Sequence, residues 1–104
     1  MASTVLLVGR TNVVINDALT RLDRPDLRIL GGTSVDDVRA AFAETTIDHV
    51  VMGAGIDLDR RLEIIREIDR LSDHTTIHLK DRASGPGSFL PFVSAVLTGI
   101  IPKA

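Results

Sequence analysis

Short apolar runs, rich in β-branched residues, alternate four times with longer stretches whose apolar residues recur at helical spacing. Thr4-Val5-Leu6-Leu7-Val8, closed by Gly9, reads as a strand buried on both faces. A helix follows, capped by Thr11 or Asn12, with Val14, Ile15, Ala18, Leu19 and Leu22 as its apolar stripe. Pro25 disfavours the helical region for the residue before it, so Asp23 to Asp26 should stop that helix. Leu27 to Leu30 predicts a second strand ending at Gly31-Gly32. Ser34 is the next N-cap; Asp36 and Asp37 sit in the first turn, where the helix dipole favours acids, and Val35, Val38, Ala41 and Phe42 form the buried side. Ile47 to Met52 predicts the third strand, ending at Gly53-Ala54-Gly55. Asp57 should cap a long helix that buries Leu58, Leu62, Ile65, Ile68 and Leu71 and turns Arg60, Glu63, Arg66, Glu67 and Arg70 to solvent. Thr75 to Leu79 is the fourth strand, Lys80 to Gly87 a loop, and Ser88 to Leu97 a final helix.

This alternation implies βαβ units, a parallel sheet and right-handed crossovers. The first and third runs are apolar on both faces and belong in the middle. The second and fourth admit Arg28, Thr76 and His78 and suit edges. The expected fold is therefore a three-layer, doubly wound α/β sheet, flavodoxin-like, with about four strands in order 2-1-3-4. Residues 1–104 are expected to make one domain, a normal size for a single hydrophobic core.

Composition narrows the function classes. With 44% apolar and 25% charged residues the chain has the make-up of a globular protein, and a net charge of −2 offers no general pull toward nucleic acid or anionic lipid. Aromatic residues are 3%, without Trp or Tyr, so no platform for stacking bases is expected. The lack of cysteine excludes disulfides, thiolate metal sites and thiol nucleophiles. Met1 to Val8 does not read as a signal peptide, and the uncharged segment from Ala83 to Pro102 is broken by Gly85, Pro86, Gly87 and Pro91. A cytoplasmic protein without membrane or nucleic-acid partners is the expectation.

The order of elements resembles the receiver domain of two-component response regulators along nearly the whole chain. Ile47-Asp48-His49-Val50-Val51-Met52 is similar to the family's third strand, which leads into the phosphoacceptor aspartate; Gly53 stands in that place. Where the family holds magnesium with an acidic pair, this chain has Val8, Gly9 and Arg10, and its fourth strand ends at Leu79-Lys80-Asp81 without the family's Ser or Thr. The fifth strand with its lysine has no clear counterpart. A glycine cannot accept a phosphoryl group, and Arg10 repels a metal ion, so the resemblance implies a receiver-like scaffold without receiver chemistry. A second resemblance, to dinucleotide-binding Rossmann domains, rests on Gly9 alone: Thr11 and Val14 replace the other two glycines, and Gly31-Gly32 ends strand 2 without an acid.

In such a sheet, ligands bind outside the carboxyl ends of the strands. Arg10, Thr11, Asn12, Lys80 and Arg82 fall there and are the candidate contacts for a small anionic ligand; the bland alternative is that they solvate a surface and pair with Asp57 and Asp81. Ser84 to Ser88 could wrap a phosphate but lacks a P-loop's lysine and spacing. His49 and His78 are expected at opposite ends of the sheet, and no histidine pair shows metal-ligand spacing, so no metal or cofactor is expected. The last helix is apolar around most of its circumference, with Phe89, Phe92, Val93, Val96 and Leu97. It is expected to form a homodimer or partner interface, the alternative being that it sinks into its own core. Two readings follow: a non-catalytic, self-associating regulatory module, or a small-anion or nucleotide-binding protein. An enzyme has less support, because no nucleophile–base pair or paired acids can be assembled; adjacent Lys80 and Asp81 should point to opposite faces.

Overall fold

The computed structural model describes residues 3–101. In chain order the elements are β1 (Thr4–Val8), α1 (Asn12–Arg21), β2 (Arg28–Gly32), α2 (Val35–Glu44), β3 (His49–Met52), α3 (Leu58–Leu71), β4 (Thr76–Leu79), a 3-10 turn (Pro86–Ser88) and α4 (Phe89–Ile100). The four strands are all parallel, in the order β2-β1-β3-β4. With helices on both faces this is the expected three-layer, flavodoxin-like α/β arrangement.

Alternation along the central strands builds two cores. Leu6, Val8, Val50 and Met52 point to one face and pack with Val38, Ala41, Ile64 and Ile68 of α2 and α3. Val5, Leu7 and Val51 point to the other and meet Ile15 and Ala18 of α1 and Phe89, Val93 and Leu97 of α4. Every residue of β1 is buried, whereas β4 is at most half-buried. Each buried Val or Leu contributes about 1.5–3 kcal/mol, so the two central strands carry most of the sheet's hydrophobic stabilisation.

Local chemistry sets the helix starts. Thr11, Ser34 and Asp57 accept hydrogen bonds from the amides of Val14, Asp37 and Arg60, three residues on in each case. Thr11, not Asn12, caps α1. Gly31 and Gly32 end β2 as expected and are its last two paired residues, opposite Leu7 and Val8. A Cβ on Gly31 would overlap Ile15 Cγ2, so the bare backbone lets α1 settle on the sheet. α4 runs past the expected Leu97 to Ile100, and Leu97 Cα lies mid-helix with its side chain in the core.

The largest correction concerns α3. Of the expected stripe, Ile68 is buried and Ile65 packs against the core, but Leu58, Leu62 and Leu71 are exposed; Arg61 and Ile64 complete the inward side, and Glu67, expected in solvent, is partly covered. Leucines border the true inner arc on both sides, so apolar spacing alone places the arc's centre wrongly. The rotation is held by Arg61, whose Nη2 donates to the carbonyls of Gly53 (2.8 Å) and Lys80 (2.9 Å). A second buried arginine closes the opposite end of the molecule. Arg24 donates from Nε and Nη2 to Asp26 (2.9 and 2.8 Å) and from Nη2 to the carbonyl of Ile101 (2.7 Å), joining the segment after α1 to the end of α4.

Candidate functional site

The carboxyl ends of β1, β3 and β4 come together at one edge of the sheet, and Gly53 continues β3 there through a hydrogen bond to the Val8 carbonyl (2.9 Å). A Cβ on Gly53 would lie 3.4 Å from two carbons of the Phe89 ring. The ring, not a charged group, occupies the space beside this position. Gly53 thus has no nucleophile of its own, and a Cβ there would touch the Phe89 ring.

The expected anion contacts divide. Lys80 is 1% exposed. Its ammonium donates to Ser84 Oγ (2.8 Å), the Asp81 carbonyl (3.2 Å) and Asp81 Oδ1 (3.4 Å), so its three protons are engaged within the loop after β4. Lys80 and Asp81 therefore meet, contrary to the expectation from strand alternation, because the chain leaves the strand at Lys80 and turns back. Asp81 also accepts from the amide and hydroxyl of Ser84, which together with Lys80 hold its carboxyl below the usual range. Thr11 is spent as a cap. Arg10, Asn12 and Arg82 remain exposed.

Arg61 is the site residue that sequence reasoning missed. It is 7% exposed, its Nε has no hydrogen-bond partner, and no carboxylate among the described residues lies within ion-pair distance. Burial lowers its pKa, and the charge of Arg82 lowers it further, so two guanidinium groups sense each other at this edge. Its spacing to Ile64 and Ile68 was the available signal, hidden because arginine in a charge-rich helix normally reads as solvated.

Other expected positions resolve as follows. Phe89, Val93 and Leu97 are core residues: the helix buries them against its own sheet, with Phe92 and Val96 half-buried beside them. His49 and His78 are not at opposite ends. The strands are four residues each, and the register sets His49 opposite Thr76 and His78 opposite Val51, with the imidazole centroids 6.2 Å apart. Thr76 Oγ1 bridges them, 2.5 Å from His49 Nδ1 and 3.0 Å from His78 Nε2. Burial lowers the pKa of His49, Asp48 opposing this and His78 adding to it. No group of three or more His, Cys, Asp or Glu among the described residues is placed to hold a metal ion. No described helix is long and apolar enough to cross a membrane.

A cavity of about 650 Å³ opens near the amino-terminal ends of β3 and β4, lined by residues 42–47 and 69–74. Its polar groups largely serve one another: Thr75, next to the lining, donates to the Ile47 carbonyl (2.6 Å), and Ser72 accepts from the amides of His74 and Thr75. Comparison of the chain with protein-family models, with curated proteins and with solved structures gives no match.

Proposed function

We propose that the chain is a non-catalytic, receiver-like regulatory module that acts by protein contact and pairs with a second copy of itself along β4. The observation that carries this reading is the unguarded outer edge of that strand. Among the described residues β4 pairs only with β3, and Thr76-Ile77-His78-Leu79 contains no lysine, proline or acid of the kind that blunts an exposed edge. The opposite edge differs: on β2, Arg28 forms an ion pair with Glu44 of α2 (3.0 Å).

The surface beside β4 is apolar. Leu79 is 43% exposed, and Leu58 and Leu62 of α3 are 57% and 38% exposed. Leu58, Leu62 and Ile65 share one flank of α3; the other flank carries Glu67, bonded to Arg39 of α2. The leucine flank is therefore the one turned away from α2 and toward the β4 margin. Edge-to-edge pairing across a two-fold axis gives each outward N–H a carbonyl from an identical strand and needs no foreign sequence. A stable interface covers roughly 800 Å² on each partner, more than a four-residue strand provides, so the leucine flank is required as well.

Light scattering at micromolar concentration tests the reading. A dimer is expected, dissociated by Leu62→Lys or Leu79→Lys with folding intact; a monomer in the unmodified chain overturns it. A second reading, binding of a small anion at the strand ends, rests on different residues, the unpaired arginines around Arg61.

A further inference from the structure

We propose that Arg61, Arg82 and Arg10 form a binding site for a phosphoryl group at the carboxyl ends of β1, β3 and β4. The starting point is a charge imbalance. Arg21, Arg24, Arg28, Arg39, Arg70 and Lys80 each have a carboxylate partner among the described residues. Arg10, Arg60, Arg61, Arg66 and Arg82 have none; Arg60 and Arg66 lie on the exposed side of α3, whereas Arg10, Arg61 and Arg82 belong to this edge.

Arg61 is the centre. A guanidinium carries five N–H donors, and two carbonyls at a single nitrogen answer only part of that capacity. Its Nε is buried without a partner. A buried cation without a counter-charge is costly, and the lowered pKa expresses the same imbalance. Two acids of the adjoining loops do not correct it. Asp57 Oδ1 caps α3 at the Arg60 amide, and both oxygens of Asp81 are held by Ser84. An anion from solution is the missing partner.

The Gly53–Gly55 turn brings Arg10 to the same place. A Cβ on Gly55 would stand 3.1 Å from Arg10 Cβ and 3.3 Å from its Cδ, so the glycine lets the arginine stem lie across the turn. Arg61 holds the other end of the turn through the Gly53 carbonyl. Arg10 after β1 and Arg82 after β4 thus flank Arg61, at the position where open α/β sheets bind ligands. The guanidinium forks of Arg10 and Arg82, with the unpartnered Nε–H of Arg61 between them, suit a tetrahedral, multiply charged oxyanion better than a single carboxylate. Phe89 packs beside Gly53, so a ligand at this edge is met on that side by the ring.

The shared chemistry is a phosphoryl group, supplied by inorganic phosphate or by a phosphorylated small molecule. Titration calorimetry and thermal melting with inorganic phosphate and with ADP, against sodium chloride at matched ionic strength, test it. Saturable binding with a raised melting temperature is expected. Arg10→Gln and Arg82→Gln, both exposed and therefore compatible with the fold, should each weaken it about tenfold, the worth of one charge-assisted hydrogen bond. The Arg61 Nε–H resonance should shift on titration, a readout that does not depend on an Arg61 variant folding. Tighter binding of ADP than of phosphate assigns an organic ligand, and equal binding assigns phosphate itself. Stabilisation no greater than that of chloride, or unchanged in the Arg10→Gln/Arg82→Gln double variant, overturns the proposal.

Discussion

Arg24 and Arg61 are buried to nearly the same degree, at 6% and 7% exposure, yet they sit in opposite electrostatic surroundings. Arg24 meets Asp26 through two parallel hydrogen bonds, and that acid raises its pKa. Arg61 meets only carbonyl dipoles and the charge of Arg82, and its pKa falls. The first is a clasp: charge, counter-charge and the Ile101 carbonyl just past α4 are matched within the chain, with Nη1 alone lacking a partner. The second positions α3 against the strand ends and leaves a positive charge unanswered. Burial of an ionic group therefore says little about its role until its partners are counted.

The comparison can be broken by substitution. Arg24→Met should produce the larger loss, because it leaves the Ile101 carbonyl without its donor and Asp26 without its fork. The urea midpoint should fall clearly, and amide exchange should rise first in the last turn of α4. Arg61→Met should cost only about 1–2 kcal/mol in urea unfolding, since two lost hydrogen bonds are offset by removal of an unpaired buried charge. If Arg61→Met proves the more damaging of the two, Arg61 is itself a structural clasp and the contrast fails.

A third substitution addresses the space beside Gly53. Gly53→Asp should destabilise by about 1–3 kcal/mol, as an added side chain displaces the Phe89 ring, and should not become phosphorylated by a small-molecule phosphodonor. Mass spectrometry after incubation with the donor checks this; a phosphorylated product would show that the scaffold retains receiver chemistry.

Two smaller effects are read by pH. His49 has a lowered pKa in the fold, so the unfolded chain binds its proton more tightly. Its contribution to stability is complete above the ordinary value of 6.5 and is lost as pH falls below it. His49→Gln should flatten the melting profile between neutral and mildly acidic pH. Glu67 behaves alike at lower pH: hydrogen bonds from Arg70 and Arg39 hold its carboxyl down to about 2 from an ordinary 4.5. Its stabilising effect is full above that ordinary value and disappears as pH falls toward about 2. Glu67→Gln should lower the melting temperature slightly at pH 7 and not at all at the acid limit, because both arginine partners of the half-buried carboxyl are exposed and such pairs contribute little.

How far the sequence reading carried depended on the kind of pattern involved. Val5 to Val8 and Val50 to Met52 were legible as central strands because a segment buried on both faces has no polar alternation to confuse it. The caps at Ser34 and Asp57 were legible because an N-cap bond spans three residues of local chain. At the strand ends, Arg10 and Arg82 could be named from topology alone. Lys80 could not be seen as internally satisfied, since Ser84 and Asp81 reach it only after the loop folds back.

The chain by itself determined the alternation of strand and helix, the polar edges and apolar centre of the sheet, and hence the order β2-β1-β3-β4. Tertiary structure alone decided the rotation of α3 that buries Arg61, the register that sets His49 beside His78, and the inward seating of Phe89, Val93 and Leu97. Periodicity states which residues share one side of an element. Which side meets a neighbour, and at what register, is settled only when all the elements compete for the same buried volume.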